Sequence, residues 1–305
     1  MVLKESIFDS TSEMDVSDQL STVWGNKYYI DTHTPFYNVF EFGSLNVTKK
    51  EENYLKMTSI DFTICENHAP YKPLMCIEFD GISEGYNKGN KFIQKRKNPL
   101  RKLKMELKLR IAKEHNFPFY VISYDERNFL SEKLQLTVLD GIIGQTLAGN
   151  DFEKKVDELL DIPDIELMNE CEYNEYIEDL IVQAEVQLDF EHDPIIQKTW
   201  EIREIVENEG INICPYQTRH FSIPELPTIG TVSFNEFKKA WEEIQWHCYE
   251  VFNERLNVKS TAMVRNFEGI HASPLVIVEN IANLLFFYKL AKKYRLKIPK
   301  MAENK

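Results

Sequence analysis

Leu74-Met75-Cys76-Ile77-Glu78-Phe79-Asp80-Gly81 combines an apolar run with two closely spaced acids. Four apolar residues lead into carboxylate, aromatic, carboxylate and stop at a glycine, the pattern of a buried strand that delivers charge at its end. Upstream, residues 58–65 alternate, with Ile60, Phe62 and Ile64 on one face and Asp61 and Thr63 on the other. Residues 66–73 carry Asn67, Pro70 and Pro73 and read as the connecting loop. A hairpin symmetric about that loop turns between Ala69 and Pro70, which sets Asp61 opposite Glu78. Asp61, Glu78 and Asp80 then share one face. Like charges directly across two strands are destabilising unless neutralised. A divalent cation with hard oxygen ligands, Mg²⁺ foremost, is one answer, and simple solvation of that face is the other.

Downstream, residues 81–98 form a Gly-, Asn- and Lys-rich loop with Gly85, Asn87, Gly89 and Asn90. Asn98 and Pro99 are an N-cap and first-turn pair, opening a helix that runs to about His115. On its wheel Leu100, Leu103, Leu107 and Ile111 form an apolar stripe, and Met105, Leu109 and Ala112 close a second apolar edge. Arg101, Lys104 and Lys108 lie between the two, Lys108 best placed to point inward and Lys104 next. The alternative for all three is to snorkel to solvent. Residues 116–124 read as a turn and then a buried strand, the usual sequel to a helix packed on a mixed sheet.

Before the hairpin, residues 11–24 predict a helix capped by Ser12, with Met14, Val16, Leu20 and Val23 on its apolar face. Glu13 falls in its first turn, where a carboxylate suits the helix dipole and can serve the cap. Residues 28–42 hold a short strand limited by Pro35, and residues 49–56 a loop or short helical turn.

The net charge of −13 argues against a nucleic-acid partner for the chain as a whole, but the charge is unevenly spread. Between positions 88 and 110 stand Lys88, Lys91, Lys95, Arg96, Lys97, Arg101, Lys102, Lys104, Lys108 and Arg110 against the single acid Glu106. Such a basic island in an acidic chain is a local anion-binding surface. Five scattered cysteines without C-x-x-C spacing make a disulfide framework or zinc site a poor fit, even where Cys214, His220, His247, Cys248 and His271 are grouped. No leader pattern is visible at the N-terminus, and the apolar run at 276–288 is interrupted by Glu279, Asn280 and Asn283. A cytoplasmic protein with no membrane span is expected.

After Asp125 the character changes. Residues 130–147 predict an apolar helix with a break at Gly149-Asn150, residues 151–209 acidic helices, and residues 211–231 a proline-containing connector. Residues 234–256 and 274–296 predict two further helices, the first with Phe237, Trp241, Ile244, Cys248 and Val251 on one side. Two domains follow: an α/β unit over 1–148, and an acidic, mainly helical unit over 149–305 that offers a surface for a protein partner or self-association.

Ser12-Glu13-Met14-Asp15-Val16 on a first helix, then Ile60-Asp61-Phe62, then Ile77-Glu78-Phe79-Asp80-Gly81, a basic loop, a lysine-bearing helix and Asn116-Phe117-Pro118-Phe119-Tyr120 follow in a telling order. Together they resemble the PD-(D/E)XK nuclease superfamily, in particular its very-short-patch-repair-like branch with an I-E-x-D-G strand motif. The likeness covers about residues 9–125. It implies a restriction-endonuclease-like mixed sheet flanked by helices and Mg²⁺-dependent endonuclease activity on DNA, with Mn²⁺ able to substitute, in restriction, repair or defence. Asp61 and Glu78 then match the metal ligands and Glu13 the helix glutamate that completes the site. Asp80 stands where the usual lysine would be and is assigned to the metal or its waters. The lysine has moved to the following helix as Lys108 or Lys104. Lys88, Lys91, Lys95, Arg96, Lys97 and Arg101 are assigned to backbone phosphates. Two other readings use the same residues: a nuclease-fold DNA-binding or assembly module without catalysis, and a structural Ca²⁺ site.

Overall fold

The computed structural model describes residues 10–82, 84–89, 91–160, 169–224 and 244–299. The chain forms two compact units. One holds the chain up to Asn128 together with the later stretch Phe267–Ile270, and the other holds Phe129–Asn266 and His271–Pro299. The boundary expected after residue 148 therefore moves to 128. Gly149 and Asn150, expected to break a helix, lie inside one that runs uninterrupted from Val138 to Leu159.

In the first unit, helix α1 (Thr11–Trp24) is capped by Ser10, whose side chain accepts from the Glu13 amide, rather than by Ser12. It leads into β1 (Tyr28–Pro35), the short turn α2 (Phe36–Val39) and α3 (Lys49–Leu55). A capping box between Thr48 and Glu51 makes α3 a defined helix. Strands β2 (Ser59–Glu66) and β3 (Pro73–Phe79) follow, then the small hairpin β4 (Tyr86–Lys88) and β5 (Lys91–Ile93), helix α4 (Pro99–Glu114), β6 (Phe119–Ile122) and α5 (Tyr124–Arg127).

The main sheet has the order β1-β2-β3-β6, antiparallel except for the parallel pair β3/β6. It is a mixed sheet flanked by helices, as the alternation and the helix after the hairpin predict. Parallel pairing requires a crossover, and α4 supplies it. Helix α4 packs through Met105, Leu107, Leu109, Ile111 and Ala112 against a core that includes Phe36, Leu55, Ile60, Cys76, Phe119 and Val121. Leu100 and Leu103, expected on that buried stripe, are 61% and 68% exposed. Only the later turns of α4 are covered, so the apolar arc begins at Met105.

The stretch Phe267–Ile270 joins this unit late in the chain. The Glu268 carbonyl accepts from Asn87 Nδ2 at 2.8 Å, while Asn87 Oδ1 accepts from the Val121 amide at 2.9 Å. Tyr120 donates its hydroxyl to the Ile270 carbonyl at 2.5 Å. Buried Asn87, 2% exposed, thus ties β4, β6 and the returning strap together with no polar group left over.

The second unit contains α6 (Val138–Leu159), α7 (Glu170–His192), α8 (Pro194–Asn208), the antiparallel sheet β7-β8-β9 (Gln217–Pro224, Ile244–Asn253, Val258–Arg265) and α9 (Pro274–Lys293). The acidic helices over 151–209 and the helix from Pro274 are as predicted. The connector at 211–231 contains β7, with residues 225–231 outside the described set. The helix predicted over 234–256 is replaced in its described part by β8, and Phe237 and Trp241 lie outside the described residues. Gln245 to Phe252 is rich in aromatic and β-branched residues, which favour a pleated surface once a neighbouring strand is present. That neighbour is β9, whose burial alternates residue by residue. Helix α9 has the length and composition of a membrane span, and ten of its residues are buried within the protein.

Candidate metal centre

The register of the sheet builds the centre. Strands β2 and β3 pair Phe62 with Ile77, Thr63 with Cys76 and Ile64 with Met75. One step further along the same register sets Asp61 beside Glu78, as a hairpin symmetric about its loop predicts. On its other side β2 pairs Thr32 with Phe62 and Thr34 with Ile60, which leaves His33 facing Asp61 across β1. His33, Asp61 and Glu78 thus form a row across three strands.

Asp61 accepts a hydrogen bond from the Phe79 amide at 2.8 Å. Burial, then the Glu78 carboxylate and the Glu13 carboxylate, push its pKa from 3.8 up to about 8, despite that bond. Glu78 is held by Lys108, whose Nζ contacts Glu78 Oε1 and donates to the Ser59 carbonyl at 2.7 Å. Both side chains are only 6% exposed. Burial alone would lower the Lys108 pKa, but the adjacent Glu78 carboxylate outweighs it and the ammonium is raised above its ordinary value.

Helix α1 brings Glu13, 6% exposed, to the same place, 3.6 Å from His33 Nε2. One ligating atom each from Glu13, His33 and Asp61 lie within 4.8 Å of one another. Glu13, His33 and the Asp61 carboxyl, driven toward its neutral form, constitute a donor set that fits a divalent cation, whereas Glu78, expected as a ligand, is held by Lys108 and is not among these grouped atoms.

Other residues expected here are placed differently. Asp80 is fully buried, but it accepts from the Gly85 amide at 2.9 Å and pairs with Arg101 Nε at 2.8 Å. Gly85 is required at that approach, since a Cβ there would lie 2.6 Å from Asp80 Oδ2. Arg101, assigned to phosphate, is thus the counter-ion of Asp80, and Asp80, assigned to the metal, forms part of the loop anchor. Lys104 lies over the Tyr54 ring at 4.8 Å, so Lys108 alone of the two lysines reaches the carboxylates.

The basic island divides in the same way. Lys95 pairs with Glu84 and Asp125 at 3.2 and 3.4 Å, and Arg96 pairs with Glu84 at 3.0 Å. Among the described residues no ion pair joins Lys88, Lys91 or Lys97 to a carboxylate; Lys91 and Lys97 are exposed and Lys88 is half-buried. In the second unit His220 Nε2 and His247 Nδ1 meet at 3.3 Å, but no third ligand joins them among the described residues.

His33 is the residue that sequence reasoning missed. Its signal was available: extending the Asp61–Glu78 pairing by one strand, from β2 to β1, reaches it. No family model, no curated protein and no solved structure matches this chain.

Proposed function

We propose that the first unit is a divalent-metal-dependent nuclease of the PD-(D/E)XK type, hydrolysing phosphodiester bonds in nucleic acid, most readily DNA. The observation that carries the reading is the buried contact between Lys108 on α4 and Glu78 on β3, next to Asp61. A lysine and two acids brought together from a helix and two strands are what in-line hydrolysis of a phosphodiester needs.

Asp61 and Glu13 would hold a divalent cation, Mg²⁺ or Mn²⁺, with the Lys108-bound Glu78 beside them. When bound, it would offset charge on the phosphate and lower the pKa of an attacking water. The chain's own contribution follows from the protonation states. Asp61 gives up its proton to become a ligand. Lys108, kept charged by Glu78, acts by positioning and by stabilising negative charge on the phosphate, not as a proton acceptor. Exposed Lys91 and Lys97, with Lys88, supply sequence-independent phosphate contacts.

The test is cleavage of supercoiled and linear DNA with Mg²⁺ or Mn²⁺, alongside a binding assay without metal. Asp61→Ala and Glu78→Ala are expected to abolish cleavage and leave DNA binding in place. Unchanged cleavage in both variants overturns the reading. Binding without cleavage in the unaltered protein points to the non-catalytic module.

A further inference from the structure

We propose that His33 is a ligand of the same cation and makes the centre selective for a divalent first-row transition ion over Mg²⁺. The inference rests on the reading of the centre as a cation site and does not depend on cleavage.

Position is the first support. His33 sits directly across β1/β2 from Asp61, and its ring nitrogen is 3.6 Å from the Glu13 carboxylate. Three ligating atoms come from three separate elements, α1, β1 and β2, so no single local motif accounts for their meeting.

Backbone conformation is the second. His33 has φ +55°, the left-handed region, inside a strand whose neighbours pair normally. A non-glycine residue there costs free energy, and the surrounding sheet has to over-determine it. The ladder resumes at Thr34, so this local departure leaves the sheet's pairing intact on either side while the imidazole lies beside both carboxylates.

Ligand chemistry supplies the selectivity. Mg²⁺ favours oxygen donors in near-octahedral geometry and keeps much of its water. Imidazole nitrogen suits later first-row ions, so replacing one oxygen donor by His33 shifts preference away from Mg²⁺. Without His33 the remaining carboxylate donors would show a weaker bias.

The experiment uses Mn²⁺ as the paramagnetic probe on the full chain. Dissociation constants for Mn²⁺ and Mg²⁺ are measured by calorimetry, and nitrogen coupling to bound Mn²⁺ by pulsed electron paramagnetic resonance. The variant is His33→Asn, because asparagine tolerates a positive φ, with circular dichroism and melting to confirm folding. His33→Gly, which relaxes the backbone, is the second variant.

The unaltered protein is expected to show imidazole nitrogen coupling to Mn²⁺ and a preference for Mn²⁺ over Mg²⁺ about tenfold larger than in either variant. Both variants are expected to lose that coupling and most of the preference while retaining Mg²⁺ affinity. Coupling that persists in His33→Asn, an unchanged preference, or no binding of either ion to the unaltered protein would overturn the assignment. Nitrogen-coupled Mn²⁺ in a protein that cleaves no DNA would overturn the nuclease reading and leave the His33 assignment standing.

Discussion

The Phe79 amide donates to Asp61 Oδ2 across 2.8 Å, from the residue immediately after Glu78. The strand that carries one acid therefore holds the other, and the spacing of the pair is set by the main chain as well as by register. This arrangement crowds negative charge at a buried position, which is why Asp61 keeps its proton to a pKa of about 8.

Metal-free stability should depend on that proton. Between 3.8 and about 8 the folded chain holds it and the unfolded chain does not, so this group lowers stability as pH rises through that window and levels off above it. Asp61→Asn keeps the acceptor for the Phe79 amide and removes the titration. Its melting temperature without metal should gain on the unaltered protein progressively from pH 4 to pH 8, by about 3 °C or more at the upper end. A pH-independent difference would contradict the burial of charge at Asp61.

Cation binding should release a proton for the same reason. At pH 7 the Asp61 carboxyl is mostly protonated, so metal ligation should expel about one proton there and far less above pH 9. Calorimetry in buffers of different ionisation enthalpy measures the number. Asp61→Asn should abolish it.

Lys108 and Glu78 should behave as a unit. Lys108→Met leaves a buried carboxylate without its partner and should cost about 3–5 kcal/mol by denaturant unfolding. Adding Glu78→Gln should recover much of that loss, while cleavage stays absent in both variants. Costs that simply add would mean that the two side chains are not coupled.

The basic island should separate into binding and structural residues. Lys91→Ala and Lys97→Ala should each weaken DNA binding and reduce its salt dependence by about one counter-ion. Arg101→Ala should act mainly on stability, because it strips fully buried Asp80 of its cation. Salt titrations of affinity, paired with thermal melts, distinguish the two groups.

Much of the centre was legible in residue order alone. Alternation at 58–65 and 74–80 set the faces, loop symmetry set Asp61 beside Glu78, and the wheel of α4 ranked Lys108 ahead of Lys104. The wheel gives angle but not coverage, so it misplaced Leu100 and Leu103, whose turn lies beyond what the sheet covers. It also could not show that Arg101 would be engaged by Asp80, a contact that depends on the Gly85 loop folding back. His33 stayed hidden because its place beside Asp61 and Glu13 comes from a neighbouring strand and an unusual φ, neither of which is a local pattern. In the second unit, apolar residues at helical spacing over 234–256 outweighed the aromatic and β-branched content that won once β9 could pair. Burial alternates from Val258 to Met263, but Ser260 on the inner face and Met263 on the outer one keep that alternation out of the sequence.

The strap at Phe267–Ile270 has a bearing on how the molecule comes into being. Asn87 and Tyr120 find partners in a stretch made 181 and 150 residues later, at Glu268 and Ile270. During synthesis the sheet carrying Asp61 and Glu78 is left without that support until nearly the whole second unit has left the ribosome. A chain cut short between Lys108 and Phe267 would carry every residue of the centre and still lack the segment that finishes its scaffold.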